Sequence, residues 1–99
     1  NTLHIMAWSE VQRLFEGLAD LLPDDGLFTA YGPFNLGGGF TSEGNARFDA
    51  ELRLADPRRG IRDLESVDAL ARAAGLQMLC DEPMPAHNRC VSWRRDSLG

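Results

Sequence analysis

The chain alternates helical and strand patterns, and this alternation limits the folds open to it more than any other feature. Apolar residues recur at helical spacing over residues 9–22, and a short, nearly all-apolar strand pattern follows at residues 27–31. A strand with so few polar residues is typical of one that is covered on both faces. Two further helical patterns follow it. The order favours an open α/β sheet.

The last two strand patterns, residues 76–82 and 89–95, are separated only by residues 83–88. Because so short a link cannot cross the sheet, we expect an antiparallel hairpin at the end of the chain. Residues 1–5 have the pattern of a strand that is ending, and no initiator Met precedes them. The sequence therefore predicts one partial domain over residues 1–99, the second half of an α/β sheet.

Local signals predict where the helices begin and which faces they bury. Ser9 and Gln12 have the spacing of a capping box, Thr41 or Ser42 is suited to cap the second helix, and Asp63 the third. Gly75 is expected to end the third helix. The expected buried stripes are Val11, Leu14, Phe15, Leu18, Leu21 and Leu22, then Phe48, Leu52 and Ala55, then Leu64, Val67, Leu70, Ala71 and Ala74.

Composition excludes several classes of function. The net charge is −5 and the pI about 4.8, which disfavours nucleic acid and anionic membranes as partners. No apolar run approaches the ~20 residues of a membrane span. Cys80 and Cys90 are expected to be reduced thiols in a cytoplasmic protein, and no spacing suggests a metal site.

Three polar or glycine-rich segments allow two interpretations each. Asn45, Asp49 and Arg53 lie four apart, either as a solvated ion-pair ladder or as a polar wall facing a pocket. The glycine-rich residues 35–40 favour a mobile lid or crossing loop over a phosphate cradle, since no P-loop Lys follows. The arginines of residues 58–62 lie between two aspartates, which favours a solvated, self-neutralised loop.

Several motifs together resemble one family. They are Asn-Thr-Leu-His-Ile at residues 1–5 with Trp8, Tyr-Gly-Pro-Phe at 31–34, Thr-Ser-Glu-Gly-Asn at 41–45 with Phe48 and Asp49, Gly-Ile-Arg-Asp-Leu-Glu at 60–65, and Met-Pro-Ala at 84–86 with Asn88. In this order they resemble the methyltransferase-like twenty-six family, a branch of the class I methyltransferases long classed as a domain of unknown function.

The resemblance covers the C-terminal half of that fold. It implies that a full-length parent uses S-adenosylmethionine, whose glycine-rich loop and acidic ribose ligand belong to the N-terminal half. This chain would then supply the acceptor-side wall for an unidentified small molecule and be inactive alone. The alternatives are a non-catalytic methyltransferase fold that binds a partner or small molecule, and a free-standing α/β interaction module.

The matched segments are expected to converge at one rim of the sheet, beyond the strand ends. His4 is a candidate catalytic base or a hydrogen-bonded structural histidine, and Tyr31 is either a catalytic residue or a core residue with a wet hydroxyl. The candidate substrate-binding residues are Asn1, Phe34, Asn45, Asp49, Arg62 and Asn88, of which Asn1 and Asn88 could equally cap turns.

The strand at residues 27–31 would lose one neighbour if the preceding strand is absent. No Lys, Pro or inward charge interrupts it, so it would present an apolar edge that recruits another chain. We therefore expect a homodimer, or association with the missing N-terminal half.

Overall fold

The computed structural model describes residues 3–95, so the candidate residue Asn1 lies outside the described part. Two 3-10 turns cover Leu3–Ile5 and Pro85–His87, and the strand exit predicted at residues 1–5 is therefore a turn from Leu3 onward. The other elements, in chain order, are α1 (Trp8–Leu21), β1 (Leu27–Gly32), α2 (Glu43–Ala55), α3 (Leu64–Ala73), β2 (Leu76–Met84) and β3 (Asn88–Arg95).

The strands form a three-stranded sheet in the order β1-β3-β2, with β3 antiparallel to both neighbours. This confirms the predicted terminal hairpin and the α/β class. Gly32 lies opposite Arg89, and Met84 lies opposite Asn88. The carboxyl ends of β1 and β2 therefore meet at the same end of the sheet, the end that also carries the hairpin tip (Pro85–His87).

The hydrophobic core lies between one face of the sheet and the helices α1 and α3. Trp93 is fully buried at its centre, with its ring centroid 5.9 Å from that of Phe15 and 6.1 Å from that of Phe28. Its indole Nε1–H donates to Asp68 Oδ1 at 3.0 Å, so the buried polar group has a partner. The other buried members are Leu3, Val11, Ala30, Phe34, Leu64, Val67, Ala71, Leu76 and Val91.

The predicted stripes of α1 and α3 are confirmed apart from Leu21, and the predicted caps are confirmed in part: Asp63 takes the N-cap position of α3, but its side chain makes no capping bond. Leu21 is exposed because it occupies the last position of α1, where it faces away from the sheet. The capping box at Ser9 is also wrong, since α1 begins earlier and Glu10 Oε1 accepts the Ala7 N–H at 2.8 Å. Ser42 caps α2 by accepting the Asn45 N–H at 3.0 Å, and Gly75 follows α3 with a positive φ of 85°.

The stripe predicted for α2 is largely wrong. Leu52 is buried as expected, but Phe48 and Ala55 are exposed. The inward face of α2 is polar, because Asn45 and Asp49 are only 7% and 5% exposed. Asn45 and Asp49 are therefore neither solvated nor open to a pocket, whereas Arg53, the third residue of the predicted row, is half-exposed and forms the predicted ion pair with Asp49 at 2.8 Å. None of the helices between residues 3 and 95 is long and apolar enough to cross a membrane.

The opposite face of the sheet is open. Leu27 and Tyr31 on β1 are exposed, and the only neighbour of β1 among the described residues is β3. Cys80 and Cys90 are free thiols on this face. Cys80 lies opposite Ser92 and Cys90 opposite Glu82, so the two thiols are diagonal neighbours rather than a directly opposed pair.

We predict that the isolated 99-residue chain associates through β1, because its edge and open face leave backbone groups and apolar side chains in water. Light scattering should give a multiple of the chain mass of 10.9 kDa. Leu27→Lys should shift the chain towards the monomer, whereas Leu54→Lys, which alters an exposed leucine on α2, should not. A wild-type chain that stays monomeric at working concentration would contradict this prediction.

Candidate functional site

The buried polar face of α2 holds two distant loops in place. Asn45 Nδ2 donates to Thr41 Oγ1 at 3.1 Å and to the His87 carbonyl at 3.4 Å, which joins α2 to the hairpin tip. Asp49 Oδ1 accepts the Ile61 N–H at 2.8 Å, and its Oδ2 accepts from Arg53 Nε at 2.8 Å. A buried carboxylate is stable here because both oxygens receive donors.

Gly60 allows the close approach between α2 and the loop that follows it. Its φ is +154°, and a Cβ at this position would lie 2.6 Å from Arg53 Nη2 and 2.9 Å from Asp49 Oδ1. The Gly60 N–H also donates to the His4 carbonyl at 2.9 Å. The loop that contains Gly60 is therefore bonded both to Asp49 on α2 and to the turn that contains His4.

We predict that Gly60→Ala lowers the free energy of unfolding by about 1–3 kcal/mol, because the new methyl group displaces the Asp49 carboxylate from the Ile61 N–H. Urea unfolding of the two chains measures this difference. The matched control is Gly17→Ala on α1, where no atom lies within 4 Å of the new Cβ. That change should raise stability by roughly 0.5–1 kcal/mol. Equal stability of Gly60→Ala and wild type would show that the close approach is not required.

His4 lies in the turn before α1, with its imidazole partly buried. Its ring centroid is 5.5 Å from that of Phe48 on α2, in a tilted arrangement. Burial lowers the pKa of His4 from the ordinary value of 6.5. The neutral imidazole is therefore the main form at neutral pH, and it can accept a proton.

The hairpin tip is held in an unusual backbone conformation. Ala86 and His87 have φ values of 62° and 59°, in the left-handed region that non-glycine residues seldom adopt. Asn88 Nδ2 donates to the Pro85 carbonyl at 3.2 Å and closes the turn. A cavity of about 260 Å³ lies beside it, lined by Thr41, Pro83, Met84, Ala86, His87, Asn88 and Arg89.

The predicted residues are brought together to different degrees. Tyr31 is exposed on the open face opposite Cys90, at the same end of the sheet as Asn88. Contacts through α2 link His4 to the hairpin tip, because Phe48 touches His4 and Asn45 binds the His87 carbonyl. Phe34 is buried in the core, so its side chain is not presented at the rim.

Arg62 lies close to the turn that contains His4. Its Nη2 donates to the carbonyls of Met6 and Arg58, and its Cζ lies 5.7 Å from the centroid of the Trp8 ring. Arg58 forms the expected ion pair with Asp56 at 2.8 Å. Arg62 does not fit the predicted solvated loop, because its side chain is half-buried and no ion pair joins it within residues 3–95.

Sequence reasoning missed two residues that organise this region, Gly60 and Asn35. Asn35 is only 8% exposed, and its Nδ2 donates to the Ile61 carbonyl at 3.3 Å. The glycine-rich run after it forms a tight turn in which Leu36 and Gly39 exchange backbone hydrogen bonds. The Gly37 N–H donates to the Glu65 carboxylate at 3.1–3.2 Å, so this amide already binds an anionic side chain of the same protein.

The fold is that of the C-terminal portion of class I methyltransferases. An O-methyltransferase family 2 protein from Planctomyces limnophilus, solved with apigenin, matches 96% of this chain at a TM-score of 0.84 and 18% identity. An O-methyltransferase family protein from Burkholderia thailandensis matches 100% of it at 0.83 and 15%. Human N-acetylserotonin methyltransferase, solved with S-adenosylmethionine, matches 98% at 0.80 and 14%. This chain spans 29%, 29% and 28% of their lengths.

The family follows from a second comparison. The model of the family described as "Protein of unknown function (DUF938)" matches residues 1–95, and the chain belongs to that family. The expected methyltransferase-like fold is thereby confirmed, while the roles of the candidate residues stay predictions.

Proposed function

We propose that this chain forms the acceptor-side wall of an S-adenosylmethionine-dependent methyltransferase located in the cytoplasm. The observation that carries the proposal is the agreement of nearly the whole chain with part of the O-methyltransferase fold, at TM-scores of 0.80–0.84. Human N-acetylserotonin methyltransferase was solved with S-adenosylmethionine, which supports the same cofactor for a full-length parent.

The residues of this chain do not fit the nucleotide part of that cofactor. The sequence contains no G-x-G-x-x-G turn. The one glycine run, at residues 37–39, has its first amide bound to Glu65. In this proposal the residues of the chain therefore act on the acceptor, and the nucleotide part of the cofactor is held by the rest of the full-length protein.

His4 is the proposed proton acceptor. Transfer of a methyl group to a hydroxyl or amine releases a proton, and a neutral imidazole near its site can take it up. The lowered pKa keeps His4 neutral at physiological pH. Gly60 and Phe48 fix its backbone and ring, so the base is held in one place before an acceptor arrives.

The other candidates have two kinds of role in this proposal. Tyr31 and Asn88 lie at the same end of the sheet and would contact the acceptor, which enters beside the hairpin tip. Asn45 and Asp49 are positioning residues, because their polar groups bind Thr41, the hairpin tip and the loop at Ile61. Phe34 would support the rim from within the core.

A second candidate function is a methyltransferase fold kept for binding without catalysis. This function is favoured because Asn45, Asp49 and Phe34 all make contacts inside the protein. Fewer polar groups are then free at the rim to act on an acceptor. Incubation of the full-length protein with methyl-labelled S-adenosylmethionine and a panel of phenols, amines and thiols separates the two. Cofactor binding without transfer to any acceptor supports the second function, and labelled product supports the first.

A further inference from the structure

We propose that a cavity beside Arg62 binds a small carboxylate or phosphate that carries a hydroxyl or amino group next to its oxyanion. We call it the Arg62 cavity, and its defining residues are Trp8, Asn35, Phe40, Arg53, Arg62 and Asp63. Its volume of about 420 Å³ lies in the range of small-molecule sites. It shares no lining residue with the cavity at the hairpin tip, and the proposal holds whether or not the protein transfers methyl groups.

The first observation is that Arg62 has no ion-pair partner among the described residues. Arg53 is paired with Asp49, but the half-buried Arg62 has only the carbonyls of Met6 and Arg58 as hydrogen-bond acceptors within residues 3–95. Its Nε is buried and has no partner in that range. Burial, and after it the neighbouring Arg53, lower the pKa of Arg62, while the Asp49 carboxylate opposes this shift. An oxyanion would supply the missing charge and a planar pair of acceptors.

The second observation is that a buried hydrogen-bond acceptor, Asn35 Oδ1, receives no donor from the described residues. Asn35 is more than nine-tenths buried and lines the same cavity, yet its Oδ1 has no hydrogen-bond partner among the described residues. Asp63 lies beside it, and its carboxylate makes no capping bond to α3. Leaving a buried acceptor unpaired is unfavourable. A simple anion could not satisfy it, whereas a hydroxyl or amino group beside the oxyanion could donate to it.

The third observation is the apolar boundary of the cavity. The Trp8 ring lies under the Arg62 guanidinium, which orients the planar group. Phe40, directly after the glycine turn, is exposed and also lines the cavity. These rings could cover the carbon part of a small ligand. Together the three features define a hydroxy acid, an amino acid or a phosphate monoester with a nearby hydroxyl as the ligand class.

The test is an NMR titration of the ¹⁵N-labelled full-length protein with four probes: propionate, lactate, alanine and inorganic phosphate. The Trp8 indole N–H and the Arg62 Nε–H signals report on the cavity. Lactate differs from propionate only by a hydroxyl, and alanine differs from it by an ammonium group, which adds both donors and a positive charge. We expect lactate or alanine to saturate the shifts at about tenfold lower concentration than propionate. If phosphate binds more tightly than lactate, the oxyanion of the ligand is a phosphate. If lactate binds more tightly, the oxyanion is a carboxylate.

Arg62→Gln should weaken binding by about tenfold or more, since it removes a charge-assisted contact. Arg47→Gln on the exposed face of α2 removes the same charge elsewhere and should change binding less than twofold. If Arg62→Gln loses the dispersed spectrum of a folded protein, Arg53→Gln, which alters a half-exposed side chain, should still weaken binding severalfold. Absence of saturable shifts with all four probes, equal affinity for propionate and lactate or alanine, or unchanged binding in the Arg62 and Arg53 variants would overturn the proposal.

Discussion

Replacing His4 with asparagine in the full-length protein should reduce the rate of methyl transfer by about 10²–10⁴-fold. Asparagine can keep a hydrogen bond but cannot accept a proton near neutral pH, so the change isolates the proposed base. The wild-type rate should fall as pH drops below the lowered pKa of His4 and reach a plateau above 6.5. Initial rates measured from acid to mildly basic pH test both points.

The control for this experiment is His87→Asn, which removes the second of the two histidines of the chain. A pH response that persists in this variant and is lost in His4→Asn belongs to His4. The folded state also favours neutral His4, so its contribution to stability should be complete above pH 6.5 and be lost as pH falls through the lowered pKa. A His4→Asn variant with the wild-type rate and pH profile would show that His4 is structural.

Replacing Trp93 with alanine should lower the free energy of unfolding by about 3–5 kcal/mol. The indole is fully buried and packs against the rings of Phe15 and Phe28, which also contact each other, and its removal also leaves Asp68 Oδ1 without the indole donor. Domains of this size are stable by about 5–15 kcal/mol, so the variant should be close to unfolding. Urea unfolding followed by circular dichroism measures the difference.

The control is Leu54→Ala, because Leu54 is 87% exposed on α2. That change should alter stability by about 0.5 kcal/mol or less. If Trp93→Ala unfolded at the same urea concentration as Leu54→Ala, Trp93 would not lie at the centre of the core as described.

The hairpin of β2 and β3 and the helix α3 could be predicted from local patterns because the determining residues are close in sequence. The hairpin of β2 and β3 follows from a link too short for any other connection. The stripe of α3 is regular, and Leu64, Val67 and Ala71 are buried as that spacing requires. Both features depend on contacts that the local sequence largely specifies.

The orientation of α2 could not be predicted in this way, because its partners are distant in sequence. Asn45 contacts a carbonyl 42 residues away, and Asp49 contacts an amide 12 residues away. Periodicity counts a polar residue as exposed, yet these two satisfy backbone groups inside the protein. The need for glycine at position 60 could not be predicted for the same reason, because the close approach that requires Gly60 exists only after the loop has folded onto α2.

The candidate site was predicted in part. The motifs predicted Tyr31 and Asn88 at one end of the sheet, where the strands beside them end, while His4 is connected to that end through Phe48 and Asn45 on α2. The motifs also included Phe34, whose ring turns into the core, and they gave no indication of the unpaired Asn35 Oδ1. A motif records which residue types occur together, but not which atoms of them are already bonded.

Calorimetric titration of S-adenosylmethionine into the full-length protein and into the isolated 99-residue chain tests whether the chain is one wall of a cofactor-binding fold. The acceptor-side wall should need the rest of the fold to bind the cofactor, because this chain has no glycine-rich nucleotide turn. We predict saturable binding by the full-length protein and none by the chain alone. Failure of the full-length protein to bind, or micromolar binding by the isolated chain, would contradict the account.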